Sequence, residues 1–229
     1  MAVAMMGCIP AVAQVVNLAS FDRHVVHYGI QIGYTQSKFD LIYTEDDEVR
    51  GALQGTTSYY TPGFHVAIIG DLRLTNFVNV RLLPGITIIN RQLSYSWNSA
   101  YAATHRNVED MRQVESVYGE IPLDFKLRSM RWRNMRPYLT LGASYGFDFA
   151  SMRNNKNNNN QSIVRLATSD FRCQTGVGFD FYMRYVKFAI ELKVSFGIPD
   201  LRVEDDDLYT RSVEALRTRT FIIGFTFEG

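Results

Sequence analysis

Residues 185–196 read YVKFAIELKVSF. Val186, Phe188, Ile190, Leu192, Val194 and Phe196 alternate with Lys187, Ala189, Glu191, Lys193 and Ser195. A period of two over a dozen residues is a β-strand, because successive side chains leave opposite faces. Two environments fit that pattern. In a soluble sheet the apolar face is the core and Lys187, Glu191 and Lys193 are wet. In an outer-membrane barrel the apolar face meets lipid and the charges point into the lumen. The rest of the chain decides between them.

Seven more stretches alternate in the same way, giving eight candidate strands in the 229 residues. The first, 25–35, sets Val26, Tyr28, Ile30, Ile32 and Tyr34 against His27, Gly29, Gln31, Gly33 and Thr35. The second, 63–73, sets Phe64, Val66, Ile68 and Leu72 against His65, Asp71 and Arg73. The third, 78–90, has Asn79, Arg81 and Thr87 on its polar face, and Pro84 weakens it because proline donates no ladder hydrogen bond. The fourth, 114–129, carries Tyr118, Glu120, Asp124, Lys126 and Arg128 opposite Val117, Ile121, Leu123, Phe125 and Leu127. The fifth, 136–150, has polar Arg136, Tyr138, Thr140, Ser144 and Asp148; the sixth, 171–182, has Arg172, Gln174, Asp180 and Tyr182. The opening stretch is the seventh, and 216–228 is the eighth, with Phe221, Ile223, Phe225 and Phe227 on one face.

The links between strands sort strictly into short and long. Strands two and three, four and five, and six and seven are joined by a few residues, at 75–77, 130–134 and 183–185. The other links, 36–62, 91–113, 151–170 and 197–215, are long. Outer-membrane barrels alternate short periplasmic turns with long extracellular loops and keep both termini periplasmic. A soluble sandwich has no reason to sort its loops. The expected fold is therefore all-β: an eight-stranded antiparallel transmembrane barrel over residues 25–229. Lipid then faces the apolar side, since the inverse arrangement would put Lys126, Arg128, Arg172 and Lys193 in hydrocarbon at about 2–4 kcal/mol each.

Composition agrees. With 24 basic and 23 acidic residues the net charge is +1, so no global field selects nucleic acid as a partner. No run of 18 apolar residues spells a transmembrane helix, and a mean hydropathy of −0.12 suits strands that are half polar. The two cysteines, Cys8 and Cys173, suggest no disulfide framework. MAVAMMGCIPAVA (1–13) reads as a signal peptide that has lost its basic start, ending in Ala11-Val12-Ala13 with Gln14 the first mature residue. Residues 14–24 then form a periplasmic segment ahead of the barrel. NNKNNNNQ (154–161), THRNVED (104–110) and VEDDD (203–207) read as solvated loop sequence.

An eight-stranded barrel has an interior that side chains fill. Its expected inward charges are Asp71, Arg73, Arg81, Glu120, Asp124, Lys126, Arg128, Arg136, Asp148, Arg172, Asp180, Lys187, Glu191 and Lys193. Buried charges must be paired, so an internal ion-pair network and no conducting pore are expected. An enzyme in a barrel needs a nucleophile and base within hydrogen-bond reach. His65 and Asp71 share a strand face but lie roughly 20 Å apart along it. No catalytic set, cofactor site or zinc spacing emerges.

The segments HYGIQIGYTQSKFDL (27–41), TPGFHVAIIGDLRLTNFVNVRLLPGI (61–86), VESVYGEIPLDFKLRS (114–129), RPYLTLGASYGFDFAS (136–151), GVGFDFYMRYVKFAIELKVSFGIPDL (176–201) and RTFIIGFTFEG (219–229) resemble the PorT family. These are outer-membrane β-barrels of the type IX secretion system of Bacteroidetes. TPGFHVAIIGDLRL and GFDFYMRYVKFAIELKVSFG carry most of the resemblance. It implies a component needed to export cargo bearing a C-terminal signal, linked in some members to gliding, with other secretion components and membrane lipid as partners. The family has no catalytic residues to carry over, and neither the asparagine tract nor the acidic loop belongs to its pattern. The alternative role is a binding or adhesion barrel acting through its long loops.

Overall fold

The computed structural model describes residues 17–43, 53–97, 111–149, 167–201 and 213–229. The leader, the asparagine tract, THRNVED and VEDDD lie outside those residues. After a 3-10 turn (Phe21–Arg23) come ten strands: β1 (Val26–Tyr43), β2 (Leu53–Tyr59), β3 (Thr61–Arg73), β4 (Val78–Leu82), β5 (Gly85–Trp97), β6 (Met111–Arg128), β7 (Met135–Asp148), β8 (Ser169–Tyr182), β9 (Lys187–Gly197) and β10 (Val213–Glu228). Every pairing is antiparallel. β1 pairs with β10 on one side and β3 on the other, which closes the sheet into a ring.

Ten strands make eight staves. β2 and β3 are one path broken at Tyr60, and both pair with β5. β4 and β5 are one path broken at Leu83-Pro84; both pair with β3 and with β6, and β5 also pairs with β2. Pro84 interrupts the ladder without ending it: Ile68 N donates to Pro84 O (2.9 Å) and Leu83 N donates to Pro122 O (3.0 Å). A missing donor therefore costs one rung, and the neighbouring rungs hold the register.

Side chains segregate as the alternation requires. Tyr28, Ile68, Ile86, Leu123, Leu141 and Leu192 are exposed on the outer wall, whereas Arg81, Asp124, Lys126, Arg172, Lys187 and Glu191 are buried inside. This inverts a water-soluble protein, whose large apolar side chains gather inside, and it is the arrangement lipid demands. One end of the ring carries the short connections 74–77, 129–134 and 183–186 together with both described termini; it is called the turn end. The other, the loop end, receives the long connections.

The strands differ from the expected spans mainly at the loop end. β1 continues to Tyr43, and β5 and β6 reach Trp97 and back to Met111. There the apolar phase flips: Gln36, Lys38 and Asp40 point outward while Phe39 is buried inside. The same flip occurs on β5, where Leu93 and Tyr95 turn inward, and on β10, where Leu216 does. These upper segments have left the apolar band and pack as an ordinary sheet would.

Candidate functional site: a charged lumen

Ion pairs fill the middle of the lumen. Glu191 Oε2 accepts from Arg81 (2.7 Å) and from the Tyr138 hydroxyl (2.9 Å). Its other oxygen lies 3.0 Å from Lys193 Nζ, which also meets Asp124 Oδ2 at 2.7 Å. Gln174 donates to the remaining Asp124 oxygen. Beside this chain Lys126 Nζ sits 2.8 Å from Asp180 Oδ1 and 3.8 Å above the Tyr138 ring. Residues from β4, β6, β7, β8 and β9 thus meet across the axis, because inward positions of different staves converge where the barrel is narrow. Each charge is desolvated, and only its partner offsets that cost.

Towards the loop end, Arg172 pairs with Glu120 (2.6 Å) and Asp170 (3.3 Å). Arg91 donates to Thr218 (2.8 Å), Ser116 (2.6 Å) and the Tyr118 hydroxyl (3.2 Å), and its guanidinium lies 4.5 Å from the Phe39 ring centre. Above it Phe39, Leu93, Tyr95, Leu201 and Leu216 form an apolar cluster. These side chains are buried against one another inside the loop end of the ring.

The turn end is packed differently. Residues 17–23 cross it as a strap: the Asn17 amide donates to Asn134 Oδ1 (2.9 Å) and its side chain to Tyr182 O (3.0 Å). Phe21 enters the mouth, stacked 4.0 Å from the His27 ring, with Lys187 Nζ 4.8 Å above its own ring. Asp22 gathers arginines from β6, β7 and the turn between them: Arg136 at 3.1 Å, Arg131 at 3.4 Å and Arg128 at 3.6 Å, with the Tyr182 hydroxyl donating at 3.1 Å. Arg73 donates to the Asp22 carbonyl.

The sequence-derived inward charges are therefore brought together in several groups. Arg81, Glu191, Lys193 and Asp124 share one network; Lys126 and Asp180 form a pair, as do Arg172 and Glu120. Arg73, Arg128 and Arg136 converge on Asp22, and Asp71 accepts from Asn79. Asp148 is buried on the inner face, across from Tyr118 in register. His65 does not meet Asp71; it bonds Thr87 Oγ1 at 2.7 Å.

Sequence reasoning missed Asp22, Arg91, Asp170 and Glu228. It ended the last strand at 228 but left Glu228 out of the inward charges. β10 does run through Glu228, and the carboxylate is buried 2.5 Å from Lys187 Nζ. The signal was available, since Glu228 continues the inward series Thr218, Thr220, Gly224, Thr226. Among the described residues no group of His, Cys, Asp or Glu is arranged to hold a metal ion. Cys173 is free and exposed on the outer wall.

Residues 13–202 match the family model described as outer membrane protein beta-barrel domain. No curated protein matches the chain. Among solved structures it is similar to OprG from Pseudomonas aeruginosa, at 15% identity and TM-score 0.46, over 90% of this chain and 94% of that one. It is also similar to Ail of Yersinia pestis in complex with the heparin analogue sucrose octasulfate, at 14% identity and TM-score 0.41, over 90% and 100% of the two chains. Neisserial surface protein A matches at 10% identity and TM-score 0.43, over 87% and 95%.

Proposed function

This chain belongs to the outer membrane protein β-barrel family, and from that premise we propose that it is a closed, non-enzymatic barrel serving type IX protein export as a structural or assembly component. The observation that carries the reading is a coincidence of segments. TPGFHVAIIGDLRL and GFDFYMRYVKFAIELKVSFG carry the PorT resemblance, and they form β3 and the β8–β9 hairpin. The same segments supply Asp71, Asp180, Lys187, Glu191 and Lys193 to the lumen. The pattern shared with that family is thus the one that fills the barrel. A filled barrel acts through its ends and wall, so cargo passes elsewhere in the machinery. The turn end, with both described termini, faces the periplasm in this reading.

Deleting the gene in its host tests it. Cargo bearing the C-terminal signal should accumulate in the periplasm and vanish from the medium, with general outer-membrane composition unchanged and export restored by the intact gene. Normal export in the deletion strain would sink the secretion role and leave a loop-mediated binding barrel.

A further inference from the structure

The strap across the turn end is loosely engaged. Asp22 faces three guanidinium groups, at 3.1 Å (Arg136), 3.4 Å (Arg131) and 3.6 Å (Arg128). Deeper in the lumen a carboxylate meets its cation more closely: Glu120 at 2.6 Å, Asp124 and Glu191 at 2.7 Å, Asp180 at 2.8 Å. The closer spacing is the ordinary one for a charge-assisted hydrogen bond. Arg128 shows the same slack, since its side chain is buried and its Nε has no hydrogen-bond partner. The strap's backbone is also under strain. Leu18 has a φ of 48°, in the left-handed region that disfavours an L-residue with a side chain.

Charge at this mouth is unbalanced. Arg73, Arg128, Arg131 and Arg136 all bond or face the strap. Against these four guanidiniums stand Asp22 and, two residues further in than Arg73 along β3, the buried Asp71, which accepts from Asn79. Asp180 and Glu228 are taken by Lys126 and Lys187. What sits in this cationic seat is a stretch of peptide. The Phe21 ring stacks on His27 and lies edge-on to Tyr182, with centroids 6.2 Å apart. Arg131 donates to the carbonyls of Asn17 and Leu18, and Arg73 to that of Asp22. The mouth thus offers a slot for an aromatic ring, guanidiniums for the carboxylate one residue on, and donors for main-chain carbonyls.

We propose that the turn-end mouth is a recognition site for an acidic peptide segment of a partner protein, an aromatic residue followed by a carboxylate, and that the strap is its built-in competitor. The partner's ring takes the place of Phe21 on His27, and its carboxylate takes the place of Asp22 among Arg128, Arg131 and Arg136. The strap swings out on the residues that lead into β1. Charge complementarity selects this occupant, because guanidinium forks suit carboxylates. The strap's own seat shows that a main chain fits there. Its loose contacts and its strain at Leu18 make it an occupant that a better-fitting segment displaces. The inference is independent of the export role.

The test uses the whole chain refolded in detergent micelles, with the fluorescently labelled peptide NLASFDR, this chain's residues 17–23, as probe and anisotropy as readout. A tethered strap competes at an effective concentration on the order of millimolar, so the unmodified protein should bind the free peptide weakly. Phe21→Ala with Asp22→Ala empties the seat and should tighten binding about tenfold or more. On that variant the peptide carrying Asp22→Asn should bind about tenfold more weakly, the loss expected for one charge-assisted hydrogen bond. Adding Arg131→Gln to the barrel should weaken the original peptide similarly. Heat-modifiable gel mobility checks that each variant is folded. Binding no tighter with the seat emptied, or equal binding of the Asp22→Asn peptide, would overturn the proposal. The unmodified protein gives a second measurement. Saturating peptide should speed exchange of the Arg23 and His24 amides, which bond the Ser20 and Phe21 carbonyls while the strap is seated. Unchanged exchange with peptide bound would overturn the displacement.

Discussion

Replacing Lys126 by Met asks whether the lumen is packed or wet. Lys126 Nζ and Asp180 Oδ1 are 2.8 Å apart, and both side chains have 0% exposure. At that separation their attraction is about 6 kcal/mol for an effective dielectric of about 20, against about 1.5 kcal/mol in bulk water. Desolvation of both ions offsets most of the former, so the pair's net worth is small. Removing one partner alone is different. It leaves Asp180 buried, and its other oxygen has no hydrogen-bond partner to fall back on. Lys126→Met should therefore cost about 3–5 kcal/mol, whereas Lys126→Met with Asp180→Leu should cost far less, close to neutrality. Urea unfolding in vesicles, followed by gel mobility and tryptophan fluorescence, gives both values and the coupling between them. A single-variant cost below about 1 kcal/mol, the figure for solvated pairs, would refute the packed lumen and reopen the case for a channel.

Three further outcomes follow from the same geometry. Leu141→Arg on the outer wall should destabilise by about 2–4 kcal/mol in vesicle unfolding, while Gln92→Arg, beyond the apolar band, should change stability by about 0–1 kcal/mol. Equal costs would show that the band does not end where the alternation inverts. The purified protein should give no steady ohmic conductance in planar bilayers, and stable open-channel steps would contradict a filled lumen. Asp22→Ala should loosen the strap. The effect should be about 1 kcal/mol, since Asp22 is partly exposed and screened, read as about fivefold faster exchange of the Arg23 and His24 amides that bond Ser20 and Phe21 carbonyls. Unchanged exchange would mean that Phe21 alone holds the strap.

The barrel itself was legible because lipid and a filled lumen impose opposite chemistries on successive residues. Every stave announces itself through that contrast, even β9 with only eleven residues. The inward identity of Lys187, Glu191 and Lys193 followed from phase alone. The partners did not, because register between distant staves sets them: Arg81 finds Glu191 across 110 positions of sequence. Asp22 was illegible for another reason. It lies outside any periodic segment, and its role comes from a strap folding back over turns. The loop-end extensions were legible in principle. Alternation continues through Gln36–Ile42 and Gln92–Ser96 with its phase inverted, and a reading tuned to apolar-outward strands stops at the inversion.

That inversion separates two stabilising regimes within one sheet. In the band, Leu141 and Leu192 gain from lipid and the interior is held by charge pairing, which is specific but yields little net stability. Above it, Phe39, Leu93 and Tyr95 gain from ordinary burial. The two ends are then packed by different chemistry: an apolar cluster at the loop end, an aspartate clamped by arginines at the turn end. Water at the loop end strengthens that packing, since the hydrophobic effect needs water outside. The turn-end clamp depends on charge, so a competing anion or high salt weakens it. Of the two, the turn end is the one whose state a charged neighbour can change.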